Sequence, residues 1–183
     1  MLTILGYWGL FAAGMTVTAD DRRKRGVNNT YLILDWVNMN TFFQKAVPIW
    51  AKGRADEMNC ELAFRAIIAG QDASLHLAAS SIYRVWVNGK FICAGPARAA
   101  HGFYRVDEID LTPQLCAGQN TVVIEVTAFN VNSYDTLDQP GFLTAEILQN
   151  HAVTAATGDG SFGVYDLHQR IQRVQRYSFQ RAF

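Results

Sequence analysis

From Glu61 onward, apolar and polar residues alternate with the period of extended chain. Leu62, Phe64, Ala66 and Ile68 share one face of a segment that stops at Gly70, and Leu75, Leu77 and Ala79 repeat the pattern after Gly70-Gln71-Asp72. The run 83–98, YRVWVNGKFICAGPAR, reads as two strands folded back at Asn88-Gly89. That dipeptide supplies the two positive-φ residues of a type I′ hairpin turn. FYRVDEIDL (103–111) and TVVIEVTAFN (121–130) follow, separated by Pro113 and the turn-forming 117–120; in the second, Val122, Ile124, Val126 and Ala128 form the buried face. Beyond the polar loop 130–142 come FLTAEIL, AVTAA and SFGVYDL, each bounded by Asn, Gly or Asp.

About eight short strands, spaced by roughly 8 to 15 residues and without an amphipathic helix of three turns, predict an all-β fold. The expected architecture is a jelly-roll-like antiparallel β-sandwich of the galactose-binding-like kind, spanning residues 46–168. Residues 1–45 are expected to be an N-terminal extension, with Met39 as the natural start and 1–38 as upstream sequence. The uncharged run 1–19 leaves a weak signal segment as the alternative, since its basic cluster, Arg22 to Arg25, follows the apolar stretch instead of preceding it. Residues 169–183 read as the start of a further domain or a linker strand, their arginines as a solvated face.

Composition narrows the chemistry. In 183 residues, 16 Lys+Arg balance 16 Asp+Glu, so no long-range field recruits nucleic acid or an anionic membrane. Cys60, Cys93 and Cys116 lie far apart, form no Cys-x-x-Cys pair and are expected to be small buried thiols, with one disulfide as the alternative. This leans towards a reducing, cytoplasmic compartment, with secretion or a periplasmic location as alternatives. His76, His101, His151 and His168 show no ligand spacing, so no metal or other cofactor is expected. Ser80 and Ser81 lack a nucleophile-elbow context, and the glycines form no phosphate-binding fingerprint.

Among the carboxylates, Asp107, Glu108 and Asp110 are the densest. On a strand Asp107 and Glu108 point to opposite faces while Glu108 and Asp110 share one, which suits a strand end better than a catalytic pair. A sugar-binding surface needs an aromatic platform beside polar side chains. Two groupings meet that requirement: Arg84 with Trp86 on one strand face, and Tyr134, Asp135, Asp138 and Gln139 in the long loop. Core or interdomain packing is the favoured expectation for Trp86, since large aromatics in sandwiches usually fill the interior, and loop anchoring or docking on a neighbouring domain is the favoured one for Tyr134.

Five stretches together carry a family likeness: PIWAKGRADEMN (48–59), the Asn-Gly hairpin, IDLTPQLCAGQNTVVIEV (109–126), NVNSYDTLDQPGF (130–142) and RVQRYSFQRAF (173–183). They resemble the N-terminal β-sandwich region of α-L-rhamnosidase-like proteins, the family 78 glycoside hydrolases, over about residues 46–183. The resemblance implies an inverting hydrolase whose catalytic acids sit on a C-terminal (α/α) barrel, roughly 6.5 to 9.5 Å apart. No position of this chain corresponds to those acids, so no catalytic residue is carried over. The implied object is a non-catalytic accessory module whose partner is that barrel. The alternative is a carbohydrate-binding module for rhamnose-containing glycans, using Arg84, Trp86, Tyr134, Asp135 and Asp138.

Overall fold

The computed structural model describes residues 3–6, 42–97, 99, 103–131 and 138–170. Among the described residues ten strands are paired antiparallel throughout: β1 (Thr3–Gly6), β2 (Cys60–Ala69), β3 (Ser74–Ser80), β4 (Ile82–Val87), β5 (Lys90–Gly95), β6 (Phe103–Asp110), β7 (Gln119–Ala128), β8 (Phe142–Gln149), β9 (Ala152–Ala156) and β10 (Gly163–Asp166). A first sheet has the order β1-β6-β3-β8-β9 and a second the order β10-β2-β7-β4-β5. The chain changes sheet at nearly every connection, so each sheet is assembled from segments distant in sequence. The fold is an antiparallel β-sandwich, as the alternation predicts.

The inner faces are those the period-2 pattern selected. Leu62, Phe64, Ala66 and Ile68 of β2 and Val122, Ile124 and Val126 of β7 meet Leu75, Leu77 and Ala79 of β3 and Leu143, Ala145 and Ile147 of β8 in one buried cluster. Each large aliphatic or aromatic side chain enclosed here contributes about 1.5–3 kcal/mol by leaving water. Asn88 and Gly89 adopt φ of 52° and 78°, so the hairpin turn is built as expected.

Strand β8 departs from simple alternation because both of its faces are covered: every residue from Phe142 to Leu148 is buried. Its outer face lies under residues 42–46, and Ile49 then pairs with the backbone of its first residues as an added edge. Phe43 packs there in a second cluster with Ala78, Tyr104, Val106 and Phe142, and Tyr104 meets Phe142 edge-on at 4.6 Å. The same segment is hydrogen-bonded along its length, with Ile49 and Leu143 exchanging N–H···O bonds of 2.9 and 3.0 Å and the Val47 N–H donating to the Thr157 carbonyl. Residues 42–45 thus pack on the sandwich, and β1, within the stretch expected to be an extension, pairs with β6 and forms the edge of the first sheet.

The turn from Leu115 through Gly118 to Asn120 owes its Asn to a specific duty. Asn120 is 1% exposed, its amide donating to the carbonyls of Gly70 and Cys116, each at 2.9 Å. Its carbonyl oxygen accepts from the Cys116 N–H at 2.7 Å and the Asn88 amide at 2.8 Å. One side chain ties three loops together at this end of the sandwich, the Asn-Gly turn among them.

Candidate functional site

Strand β4 turns Tyr83, Val85 and Val87 inward, so Ile82, Arg84 and Trp86 must face out. Arg84 and Trp86 do share a face, the outer face of the second sheet, and the interior packing considered for Trp86 is excluded by that alternation. Register builds two rows across this face. Phe91, Trp86, Val123 and Arg65 line one, and Ala94, Arg84, Glu125, Ala63 and Tyr165 the next. Trp86 and Phe91 stack edge to face with centroids 5.3 Å apart.

Arg84 is held between carboxylates: its Nη2 lies 3.1 Å from Glu61 Oε1 and its Nε 3.1 Å from Glu125 Oε2. Glu61 is 3% exposed, and the same Oε1 also accepts from the Thr127 hydroxyl at 3.1 Å and from Arg170 Nε at 3.2 Å. A carboxylate so enclosed is tolerable only because two guanidinium groups and a hydroxyl replace its water. These contacts fix Arg84 in place through its Nε and Nη2. Glu61 was not singled out from the sequence, where it reads as an ordinary polar position before Leu62.

The loop grouping divides. Tyr134 and Asp135 lie outside the described residues. Asp138 is exposed, beside Gln139, whose side-chain carbonyl accepts from the Tyr104 hydroxyl at 2.9 Å. Because Tyr104 packs on the outer side of the first sheet, Asp138 does not join Arg84 and Trp86 in one site. Both ends of this loop are moored to the segment 48–59. Asn130 donates to the carbonyls of Ala55 and Glu57, and the Gly141 N–H donates to Ala55 at 2.7 Å. Trp50 closes on Gly141 so tightly that an added Cβ would stand 2.6 Å from its ring, and Trp50 also contacts Phe64 with centroids 5.8 Å apart.

That segment is fastened in turn by Arg54, which bonds both Glu57 and Asp166 of β10. Burial pushes the Asp166 carboxyl up, but the Arg54 guanidinium and the His168 N–H outweigh it and hold the group below the usual carboxylate range. Close by, burial raises the Cys60 thiol to about 11. The three thiols are free; Cys60 is buried, Cys93 half-buried and Cys116 exposed, so Cys116 departs from the expectation of buried cysteines by lying in the turn after the Thr112–Gln114 helical turn.

The dense carboxylates separate as strand geometry requires. Asp107 faces inward and accepts from the Tyr83 hydroxyl at 2.6 Å while pairing with Arg105. Burial first, and this hydrogen bond second, push the Tyr83 hydroxyl well above the ordinary tyrosine range. Glu108 faces out near His76 at 3.7 Å, and Asp110 caps its own turn by accepting from the Thr112 N–H at 2.9 Å. Among the described residues no three His, Cys, Asp or Glu side chains gather as metal ligands, and no helix is long and apolar enough to cross a membrane.

No family model and no curated protein matches the chain. Solved structures do. A family 78 rhamnosidase from Bacillus sp. GL1 is 31% identical over 67% of this chain, with a TM-score of 0.57. The chain carries a rhamnosidase-like β-sandwich domain. It spans 13% of that rhamnosidase. A Streptomyces avermitilis α-L-rhamnosidase complexed with L-rhamnose is 16% identical, covering 68% of this chain and 12% of its own at a TM-score of 0.49. A lectin from Pleurotus ostreatus is 17% identical, covering 72% of this chain and 38% of its own at a TM-score of 0.44.

Proposed function

We propose that this rhamnosidase-like sandwich is a non-catalytic accessory domain that supports the catalytic domain of an α-L-rhamnosidase-like glycoside hydrolase. The observation that carries the reading is the 31% identity to the Bacillus rhamnosidase over 67% of this chain, against only 13% of the rhamnosidase. Engagement of the candidate groups agrees with it. Arg84, Glu61 and Asp107 are each spent on internal ion pairs or hydrogen bonds that stiffen the sheets, and Asp110 on its own turn. The expected catalytic partner is the (α/α) barrel of the same protein.

Hydrolysis of an aryl α-L-rhamnoside by the 183-residue chain tests the claim. No turnover above buffer is expected, and turnover that survives repurification would overturn it. A second reading, a module that binds rhamnose-containing glycans, has Phe91 in its favour, an aromatic ring 53% exposed in the row beside Arg84. Calorimetric titration with L-rhamnose separates the two. The accessory reading expects no heat of binding at millimolar sugar, whereas a saturable isotherm weakened by Phe91→Ala would establish the second.

A further inference from the structure

Asn88 is the one asparagine of the sequence followed directly by glycine, and with Gly89 it forms the tip of the β4–β5 hairpin. Such a step is a reactive setting for loss of the side-chain amide, because glycine puts no side chain in the way of its own nitrogen. The Gly89 nitrogen, giving its proton to solvent base, attacks Asn88 Cγ. The new N–Cγ bond closes a five-membered imide as the Cγ–Nδ2 bond breaks and ammonia leaves. Water then opens either imide carbonyl, leaving aspartate or, with the main chain rerouted through the side chain, isoaspartate. Water is the only co-reactant, and nothing is oxidised or reduced. Access for base and water is open: Asn88 is exposed, and no atom lies within 4 Å of a Cβ added at Gly89.

The fold nonetheless holds the reacting group in place. Asn88 Nδ2 donates to Asn120 Oδ1 at 2.8 Å and to the Gln114 carbonyl at 3.3 Å, and its Oδ1 accepts from the Thr121 N–H at 3.0 Å. The Asn88 N–H also donates to the Thr121 carbonyl at 2.9 Å, so side chain and backbone are gripped by the same neighbouring segment. Attack needs Cγ within about 3–3.5 Å of the Gly89 nitrogen with the face of the carboxamide turned towards it. The anchors at Gln114, Asn120 and Thr121 fix that plane from both its oxygen and its nitrogen, and turning it onto Gly89 breaks them.

We propose that Asn88 is a deamidation site masked by the fold and released when the loop contacts around Asn120 open. The opening required is local, because the anchors lie in turns at one end of the sandwich and leave the central strand pairs intact. Modification then prevents reclosing. A carboxylate at position 88 sets an acceptor against Asn120 Oδ1 and has no N–H for the Gln114 carbonyl. Isoaspartate also adds a methylene to the main chain between Val87 and Lys90, which pair across the turn. A transient opening is thereby converted into a lasting loss of the tie between the hairpin and residues 114–121.

The test incubates the 183-residue chain at mildly alkaline pH and follows the peptide containing Asn88-Gly89 by mass spectrometry, natively and in guanidinium. Native wild type should be modified at least tenfold more slowly than the unfolded chain, and Gly89→Ala should suppress the reaction in the unfolded chain. Asn120→Ala, shown to be folded by circular dichroism, should react several-fold faster than native wild type. Where that variant does not fold, guanidinium below the wild-type midpoint serves instead, and the rate there should exceed what the globally unfolded fraction supplies. Equal rates in native and unfolded wild type would overturn the mask, and an unmodified Asn88 in the unfolded chain would overturn the site. A folded Asn120→Ala reacting at the wild-type rate, or a rate that tracks global unfolding alone, would overturn the release through Asn120.

Discussion

Replacing Asn120 with Ala should be among the most damaging polar-to-Ala changes in this sandwich, and its size can be worked from the contacts. The substitution deletes two short donated bonds, to Gly70 and Cys116, and two accepted ones, from Cys116 and Asn88, all between 2.7 and 2.9 Å, together with a longer donated contact to Gly118 at 3.3 Å that is left out of the sum. At a net ~0.5–1.5 kcal/mol per bond, the sum is about 2–6 kcal/mol. Two features pull it towards the lower half. Asn88 lies in an exposed turn and can turn its amide to water, and the turns around Gly70 and Gly118 can admit water to their carbonyls. A loss of about 3 kcal/mol is therefore expected, or a fall in Tm of roughly 6–12 °C for a domain of this size. Asn120→Asp preserves shape and both accepted bonds but places a carboxylate against the Gly70 and Cys116 carbonyls, so it should be no better than Ala at neutral pH. Urea denaturation followed by far-ultraviolet circular dichroism measures both. A loss under 1 kcal/mol for Ala, or full stability for Asp, would refute the claim that this side chain ties the three loops.

Gly89→Val should cost about 1–2 kcal/mol by urea denaturation, since φ is 78° and no atom lies within 4 Å of an added Cβ, leaving backbone strain as the whole penalty. Gly141→Ala should lower Tm for the opposite reason, an added Cβ pressed to 2.6 Å from the Trp50 ring, and Trp50→Leu in the same chain should recover part of the loss. Asp166 has a folded pKa below its unfolded value near 3.8, so the stability it contributes is present above that value and disappears as pH falls through the folded pKa; Asp166→Asn should flatten the acid limb of a Tm-against-pH curve. With its thiol raised to about 11 and buried, Cys60 should resist iodoacetamide at pH 8 in the native protein, while exposed Cys116 is alkylated first, as peptide mass mapping would reveal.

What the sequence disclosed and what it concealed divide along a physical line. Period-2 alternation marks a strand with one face in the core and the other towards water, and β7 and the second half of β2 obey it, so their inward residues were legible. Asn88-Gly89 was legible because its φ requirement is local. Strand β8 hid its outward burial, because the cover comes from residues 42–46, about a hundred positions earlier, and no local pattern announces such packing. Arg84 and Trp86 were rightly placed on one face, but the carboxylate that immobilises Arg84 sits on β2, a strand reached only through β7. Asn120 was visible as part of a turn motif, and its reach to Gly70, 50 residues away, was not.

Glu61 and Glu146 show how a buried charge records what covers a sheet. Each sits at an outward position of a central strand, and each is enclosed: 3% exposed for Glu61 and 0% for Glu146. Glu146 is answered by backbone. The N–H groups of Gln44 and Lys45 donate to it at 3.0 Å and that of Ala46 at 3.3 Å, so the covering segment itself satisfies the charge. Both carboxylate oxygens are used, which makes this contact a finished one. Glu61 is answered by side chains, and only through one oxygen. Replacing Glu146 by Gln should therefore loosen residues 44–46 while sparing β2 and β7, since it removes the charge on which three N–H groups converge and turns a donor towards them. Native-state hydrogen exchange reads this directly: protection at Gln44, Lys45 and Ala46 should fall tenfold or more with the amides of β2 and β7 unchanged. Uniform loss across all strands would instead make Glu146 a part of the global fold, and the reading of residues 44–46 as a separable cover would fail.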